Sequence, residues 1–212
     1  MSMPQTIARS MLLLGTGAAL FFCVQSSQGV NLIVDSSFES GPLGTVTLPA
    51  GSALLPGWAV PSGAIDVVQG FQAHSGILCV DLDGFFQTGA LSQTVNVQLG
   101  QTYALSFWLA GNPQGGPAVK QMSASWGNSS LGTFTFDVTG KTISNMGWTE
   151  YQLQVQATSP QMTLLFTSLD VAGSAYGACI DDVSLTAVPE PQALSLFGLL
   201  GVGGRFLWRR RK

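Results

Sequence analysis

From Asn31 to Ala187 the chain sustains no apolar period of 3.6 residues, which argues against a helical body. It reads instead as short alternating runs at 77–82, 90–97, 102–110, 121–126, 133–138, 150–157, 162–167 and 179–185. Most are bounded by Gly, Pro, Asn or Ser, the residues that turns require. In the clearest run, Tyr103, Leu105, Phe107 and Leu109 share one face, while Ala104, Ser106, Trp108 and Ala110 share the other. This pattern predicts an all-β fold, a jelly-roll β-sandwich. No internal repeat of solenoid or propeller length is present. The segments 40–56 and 111–119, rich in Gly and Pro, are the longest expected loops.

Charge narrows the function classes. Only 9% of residues are charged, against about a quarter in typical soluble domains. Between residues 30 and 188 there are two lysines, Lys120 and Lys141, against ten acids, a formal −8. Such a body repels polyphosphate, so nucleic acid is excluded as a partner. One histidine and two lysines also leave few parts for acid–base or metal catalysis, and a non-enzyme is expected.

The remaining basic groups stand at the two ends. Residues 1–29 carry Arg9 and then an apolar run from Met11 to Val24, followed by small residues. That run is short for a spanning helix of about 20 residues and suits a signal peptide, so export is expected. Residues 188–212 contain Pro189, Glu190 and Pro191, an apolar stretch, and then Arg205, Arg209, Arg210, Arg211 and Lys212. Triplet, apolar helix and arginine-rich end in that order resemble the PEP-CTERM sorting signal of Gram-negative bacteria. The resemblance implies an exosortase as partner and transient inner-membrane insertion through the C-terminal helix. It also implies a final location at the cell surface or outside the cell. Arg205 interrupts the apolar stretch and would snorkel to the interface, which fits a transient anchor.

The body, 30–187, carries a second resemblance. Asn31 to Glu39 (NLIVDSSFE), Pro56-Gly57-Trp58, Ser75-Gly76, Gly100 to Tyr103 (GQTY), Leu109 to Asn112 (LAGN), Gly116 to Lys120 (GPAVK), Asn145 to Trp148 (NMGW) and Ile180 to Val183 (IDDV) follow in order. Together they resemble the choice-of-anchor C family of bacterial surface domains. That family is similar to plant cell-wall proteins of uncertain biochemistry, and more distantly to xylanase-attached carbohydrate-binding modules. The resemblance implies a galactose-binding-like jelly roll; activity does not follow from fold.

Several side chains could carry chemistry. The resemblance implies a structural calcium where Glu39 meets Asp181, with Asp182 beside it, and the alternative is hydrogen bonding to loop amides. It also places the strand of Cys79 beside that of Cys179, which leaves a disulfide or two buried thiols as alternatives. For a sugar platform the candidates are Trp108, Trp126 and Tyr176, with Phe71, Phe85 and Phe86 in loops; Trp58 and Trp148 read as core plugs. Trp108 has the small neighbours Ala104, Ser106 and Ala110, which leave room for a ligand or for a packed loop. Asp81 and Asp83, two apart on a run, and Glu150 are the acids a polysaccharide hydrolase would use. His74 reads as a loop hydrogen-bonder, and Asn128-Ser129-Ser130 as a chance sequon. The expected function is a non-catalytic surface or matrix protein binding polysaccharide. The alternatives are a structural or adhesive protein-binding module and a hydrolase.

Overall fold

The computed structural model describes residues 29–189. The expected signal segment and C-terminal membrane helix lie outside the described residues, as do Glu190, Pro191, Arg209, Arg210 and Arg211. Among the described residues no helix is long and apolar enough to cross a membrane.

A strand forms at each of the alternating runs. In chain order the strands are β1 (Val46–Pro49), β2 (Ala59–Ser62), β3 (Ala64–Gln69), β4 (Leu78–Asp81), β5 (Asp83–Gly84) and β6 (Gln87–Thr88). There follow β7 (Ala90–Asn96), β8 (Thr102–Gly111), β9 (Val119–Trp126), β10 (Ser129–Asp137), β11 (Thr149–Gln156), β12 (Gln161–Ser168) and β13 (Ala178–Ala187). They build an all-β, two-sheet sandwich. One sheet has the order β1-β3-β4-β13-β8-β11 and the other β10-β9-β12-β7-β2, with β5-β6 a short separate hairpin. Every pairing is antiparallel.

Two features of the first third depart from expectation. Segment 40–56 is not all loop: β1 lies in it and ends at Pro49, on the sheet edge where a residue without an N–H is tolerated. β3 lacks clean alternation because its residues are buried on both faces, so period-two reading passes over it.

The core fills the space between the sheets. Phe107 on β8 meets Phe134 of β10 and Phe166 of β12 edge-on, with centroids 5.1 and 5.2 Å apart. Each such buried side chain contributes about 1.5–3 kcal/mol. Trp126 belongs here, only 2% exposed, with its Nε1 donating to the Gln156 carbonyl at 3.0 Å. Its position on β9, in phase with Met122 and Ala124, faces it inward and removes it from the ligand-binding candidates.

The opposite face of the six-stranded sheet is where polar chemistry collects. The described segment enters and leaves at one end of that sheet, where the Leu32 amide donates to the Leu185 carbonyl and the Val188 amide to that of Thr102, each at 2.9 Å.

Candidate functional site

Register decides which side chains share that outer face. Trp108 pairs with Asp181 and with Glu150, Asp81 pairs with Cys179, and Asp66 pairs with Asp81. A bulge between Asp181 and Ser184, with Asp182 at a φ of 44°, turns two successive carboxylates toward one loop.

That loop is gripped by all three acids the sequence pointed to for calcium. Asp181 Oδ2 accepts from the amides of His74 (2.8 Å) and Ser75 (3.2 Å), and Oδ1 accepts from the Asp182 amide at 2.7 Å. Asp182 accepts from Ser75 Oγ at 2.6 Å and contacts His74 Nδ1 at 2.5 Å. Glu39 Oε1 accepts from the amides of Ile77 (2.9 Å) and Leu78 (2.8 Å). Gly76 makes this possible: at a φ of 64°, a Cβ there would stand 2.3 Å from the Glu39 carboxyl. Calcium collects six to eight oxygens, whereas these carboxylates converge on N–H and O–H donors. The arrangement fits a hydrogen-bonded clasp and not a calcium shell. Among the described residues no three His, Cys, Asp or Glu side chains could hold a metal ion. Burial, reinforced by the adjacent Asp182, lifts the Asp181 pKa to about 7 despite three amide bonds.

The clasp also settles the surroundings of Trp108. The His74 ring stacks on it at 3.7 Å and 15°, and Trp148 meets His74 edge-on at 6.4 Å. Trp148 Nε1 donates to the Gln72 carbonyl at 2.7 Å, which pins the same loop from its other side. The small residues beside Trp108 thus make room for a packed loop, one of the two outcomes the sequence left open.

A second cluster lies near the far end of β8 and β13. Asp81, Asp83 and Lys120 are essentially unexposed. Asp81 accepts from the amides of Asp83 and Gly177 (both 2.9 Å) and from Asn112 Nδ2 (2.8 Å), yet burial pushes its pKa up to about 8. Asp83 accepts from Ser168 Oγ at 2.5 Å. Burial raises its pKa too, and its Oδ2 has no hydrogen-bond partner among the described residues. Lys120 Nζ donates to the carbonyls of Gly115 (2.7 Å) and Tyr176 (2.6 Å), and burial lowers its pKa against the pull of Asp170, Asp81 and Asp83. Buried this deeply, Asp81 and Asp83 are out of reach of a polysaccharide, so the hydrolase reading loses two of its three acids.

Above this cluster is the feature the sequence could name residue by residue but not assemble. Phe71, Phe85, Phe86 and Tyr176, all from different loops or the tip of the β5-β6 hairpin, line one recess of about 230 Å³. Thr45, Asp66, Val68, Asn112, Gln114 and Ala175 complete it. Phe85 and Phe86 are 68% and 61% exposed, with ring centroids 4.3 Å apart. Phe86 sits at a φ of 57°, at the second position of a two-residue turn where glycine would be the relaxed choice. Tyr176 is held from beneath by Lys120 and packs directly over Gly115, where a Cβ would come within 2.2 Å of the ring.

The cysteines are free and buried, so no disulfide joins them. The strands do lie side by side, but Cys179 pairs with Asp81, which sets Cys79 two residues off. Such diagonal neighbours stand about 7–8 Å apart, beyond the Cβ separation of about 4 Å a bridge needs.

Residues 31–186 match the family model described as a protein of unknown function, DUF642. The chain belongs to the DUF642 family. Residues 187–212 match the PEP-CTERM protein-sorting motif, which implies export and sorting to the cell surface. The DUF642 domain begins at Asn31 and its sorting motif takes over at Ala187, the last residue of β13.

Among curated proteins, halomucin of Haloquadratum walsbyi (strain DSM 16790 / HBSQ001) is 27% identical over 190 residues, covering 86% of this chain. The chain spans about 2% of halomucin's length. Among solved structures, TmCBM61 in complex with beta-1,4-galactotriose is 19% identical with a TM-score of 0.51, covering 75% of this chain and 99% of that one. The CBM22-1 xylan-binding domain from Paenibacillus barcinonensis Xyn10C is 19% identical with a TM-score of 0.46, covering 77% and 98%. The first of these likenesses shows the fold, a sandwich of the carbohydrate-binding-module kind.

Proposed function

We propose that this DUF642 protein is an exported, exosortase-sorted, non-catalytic surface module that binds carbohydrate in the aromatic recess. The observation that carries the reading is the convergence of Phe71, Phe85, Phe86 and Tyr176 on one concavity. Flat apolar rings match the C–H faces of pyranoses, and a few polar groups among them fix orientation. Three of the rings, Phe85, Phe86 and Tyr176, are exposed, and Phe86 is held in a backbone conformation that costs about 1–3 kcal/mol for a bulky residue. Folding alone favours neither, so contact with a partner is their use. The fold likeness to TmCBM61, itself bound to a galactotriose, is consistent with this but does not carry it.

Placement supports the reading. The chain leaves toward its sorting motif beside Thr102, whereas Asn112, Gln114 and Tyr176 adjoin the opposite ends of β8 and β13. Ten residues of strand separate these ends by about 30 Å. The recess therefore lies at the end of the sheet opposite the point where the chain runs on into its sorting motif.

The test is a polysaccharide pull-down and glycan array with the full chain in detergent, alongside Phe86→Ala and Tyr176→Ala. Binding that falls about tenfold or more in either variant, with the melting temperature held, supports the proposal. Binding to no glycan would leave the structural or adhesive reading, and release of reducing sugar would restore the hydrolase.

A further inference from the structure

The recess is polar in a restricted way: half of the polar side-chain atoms of its lining residues are already hydrogen-bonded within the protein. Thr45 Oγ1 donates to the Gln69 carbonyl at 3.2 Å. Asn112 Nδ2 donates to Asp81 at 2.8 Å, while its Oδ1 accepts from the Gln114 amide at 3.0 Å. Asp66 uses only one oxygen, Oδ1, which accepts from Thr47 Oγ1 at 2.6 Å. Its Oδ2, the Gln114 carboxamide and the Tyr176 hydroxyl have no hydrogen-bond partner among the described residues. The lining residues thus keep one carboxylate oxygen, one amide and one phenol without a partner inside the protein.

Cations are missing from its lining. Of the two lysines in the body, Lys120 is wholly buried behind Tyr176 with its ammonium on two carbonyls. Lys141 lies over Phe136, a residue of β10 in the other sheet. A uronate carboxylate entering the recess would meet Asp66 with no guanidinium or ammonium to offset it. A hydroxylated, uncharged ring meets the opposite situation, because neighbouring hydroxyls donate well to a carboxylate oxygen.

We infer that the recess selects neutral saccharides against uronate-bearing ones, with Asp66 as the acceptor that reads the ring hydroxyls. This rests on the recess being the carbohydrate site. Gln114 supplies the second polar contact and the aromatic rings supply the platform. Selectivity arises from a like charge placed against the wrong ligand as much as from contacts to the right one.

Matched polymers test it whatever the natural glycan is. Polygalacturonate and alginate are each compared with the same polymer after carboxyl reduction, which changes charge and leaves linkage alone. β-1,4-Galactan serves as a further neutral probe. Affinity electrophoresis uses the full chain in detergent at about 0.3 M salt, where the screening length is below ~8 Å and repulsion from the distant acids of the body is suppressed. The expected result is at least tenfold tighter binding to a reduced polymer than to its parent. Asp66→Asn, which keeps the acceptor for Thr47, should narrow that ratio to less than threefold. Gln114→Ala should weaken neutral binding several-fold with the ratio intact, and it provides a readout should Asp66→Asn fail to fold. Equal or tighter binding of the acidic parents overturns the selectivity while carbohydrate binding stands. Failure of every polymer, galactan included, overturns the carbohydrate reading itself.

Discussion

Asp81 should make this protein less stable as pH rises, the reverse of the usual acid sensitivity. Its carboxyl is 1% exposed, and its pKa moves from 3.8 to about 8, burial being the main cause. Between those values the unfolded chain has released the proton and the native chain retains it. Native stability is then fully present below about pH 4 and is lost as pH climbs toward 8. At about 1.4 kcal/mol per unit the ceiling is about 6 kcal/mol, comparable to the whole stability of many domains. Relaxation of the site and water entry reduce this, so a fall of about 3 kcal/mol from about pH 5 to about pH 8.5 is expected. Asp181, lifted to about 7, adds in the same sense, and half-buried Asp170, raised to about 6, adds less because solvent screens it. Lys120, whose pKa is lowered, acts oppositely between its lowered value and the ordinary lysine range. The assay is urea denaturation at the two pH values, with the slope checked for constancy. Asp81→Asn removes the titrating group and keeps the oxygen that receives two amides; it sets an amide against Asn112 at a cost of about 1 kcal/mol. In that variant the pH-dependent loss should shrink by at least half. A wild type equally stable at both pH values, or an Asn variant with an undiminished loss, would refute the reasoning.

Three further outcomes are expected. Gly115→Ala forces the Tyr176 ring aside, since its Cβ would lie 2.2 Å away; glycan binding should drop several-fold in affinity electrophoresis while stability changes by about 1 kcal/mol or less. Cys79 and Cys179, buried and with thiol pKa values raised by burial, should resist a thiol-reactive dye in native protein, and reductant should leave the melting temperature unchanged. Calcium addition or chelation should likewise leave the melting temperature unchanged, because Glu39, Asp181 and Asp182 already engage the 74–78 segment; a chelator-induced drop of several degrees would show that the clasp rearranges around an ion.

Trp126 and Phe86 show two different ways in which reading the chain falls short. Both are aromatic residues in a β protein, and both are candidates for a sugar platform on sequence grounds. Alternation along β9 turns Trp126 inward with Met122 and Ala124, a signal that the sequence itself contains. Nothing local marks Phe86 as sharing a recess with Tyr176, which is 90 positions away and joins it only through the fold. β1 and β3 escape for related reasons, one being a short edge strand and the other covered on both faces.

Period and punctuation determine eight of the thirteen strands among the described residues, the all-β class and the sorting of most apolar faces, because these depend on neighbours two residues apart. The PEP-CTERM motif, too, is a local signal, complete in its own 26 residues. Register is different in kind. It sets Cys179 across from Asp81 rather than Cys79, brings Trp108 under the loop whose His74 stacks on it, and puts Asp66 in a recess shared with four aromatic residues. Each of those contacts joins segments distant along the chain, and only the paired sheets fix how those segments align.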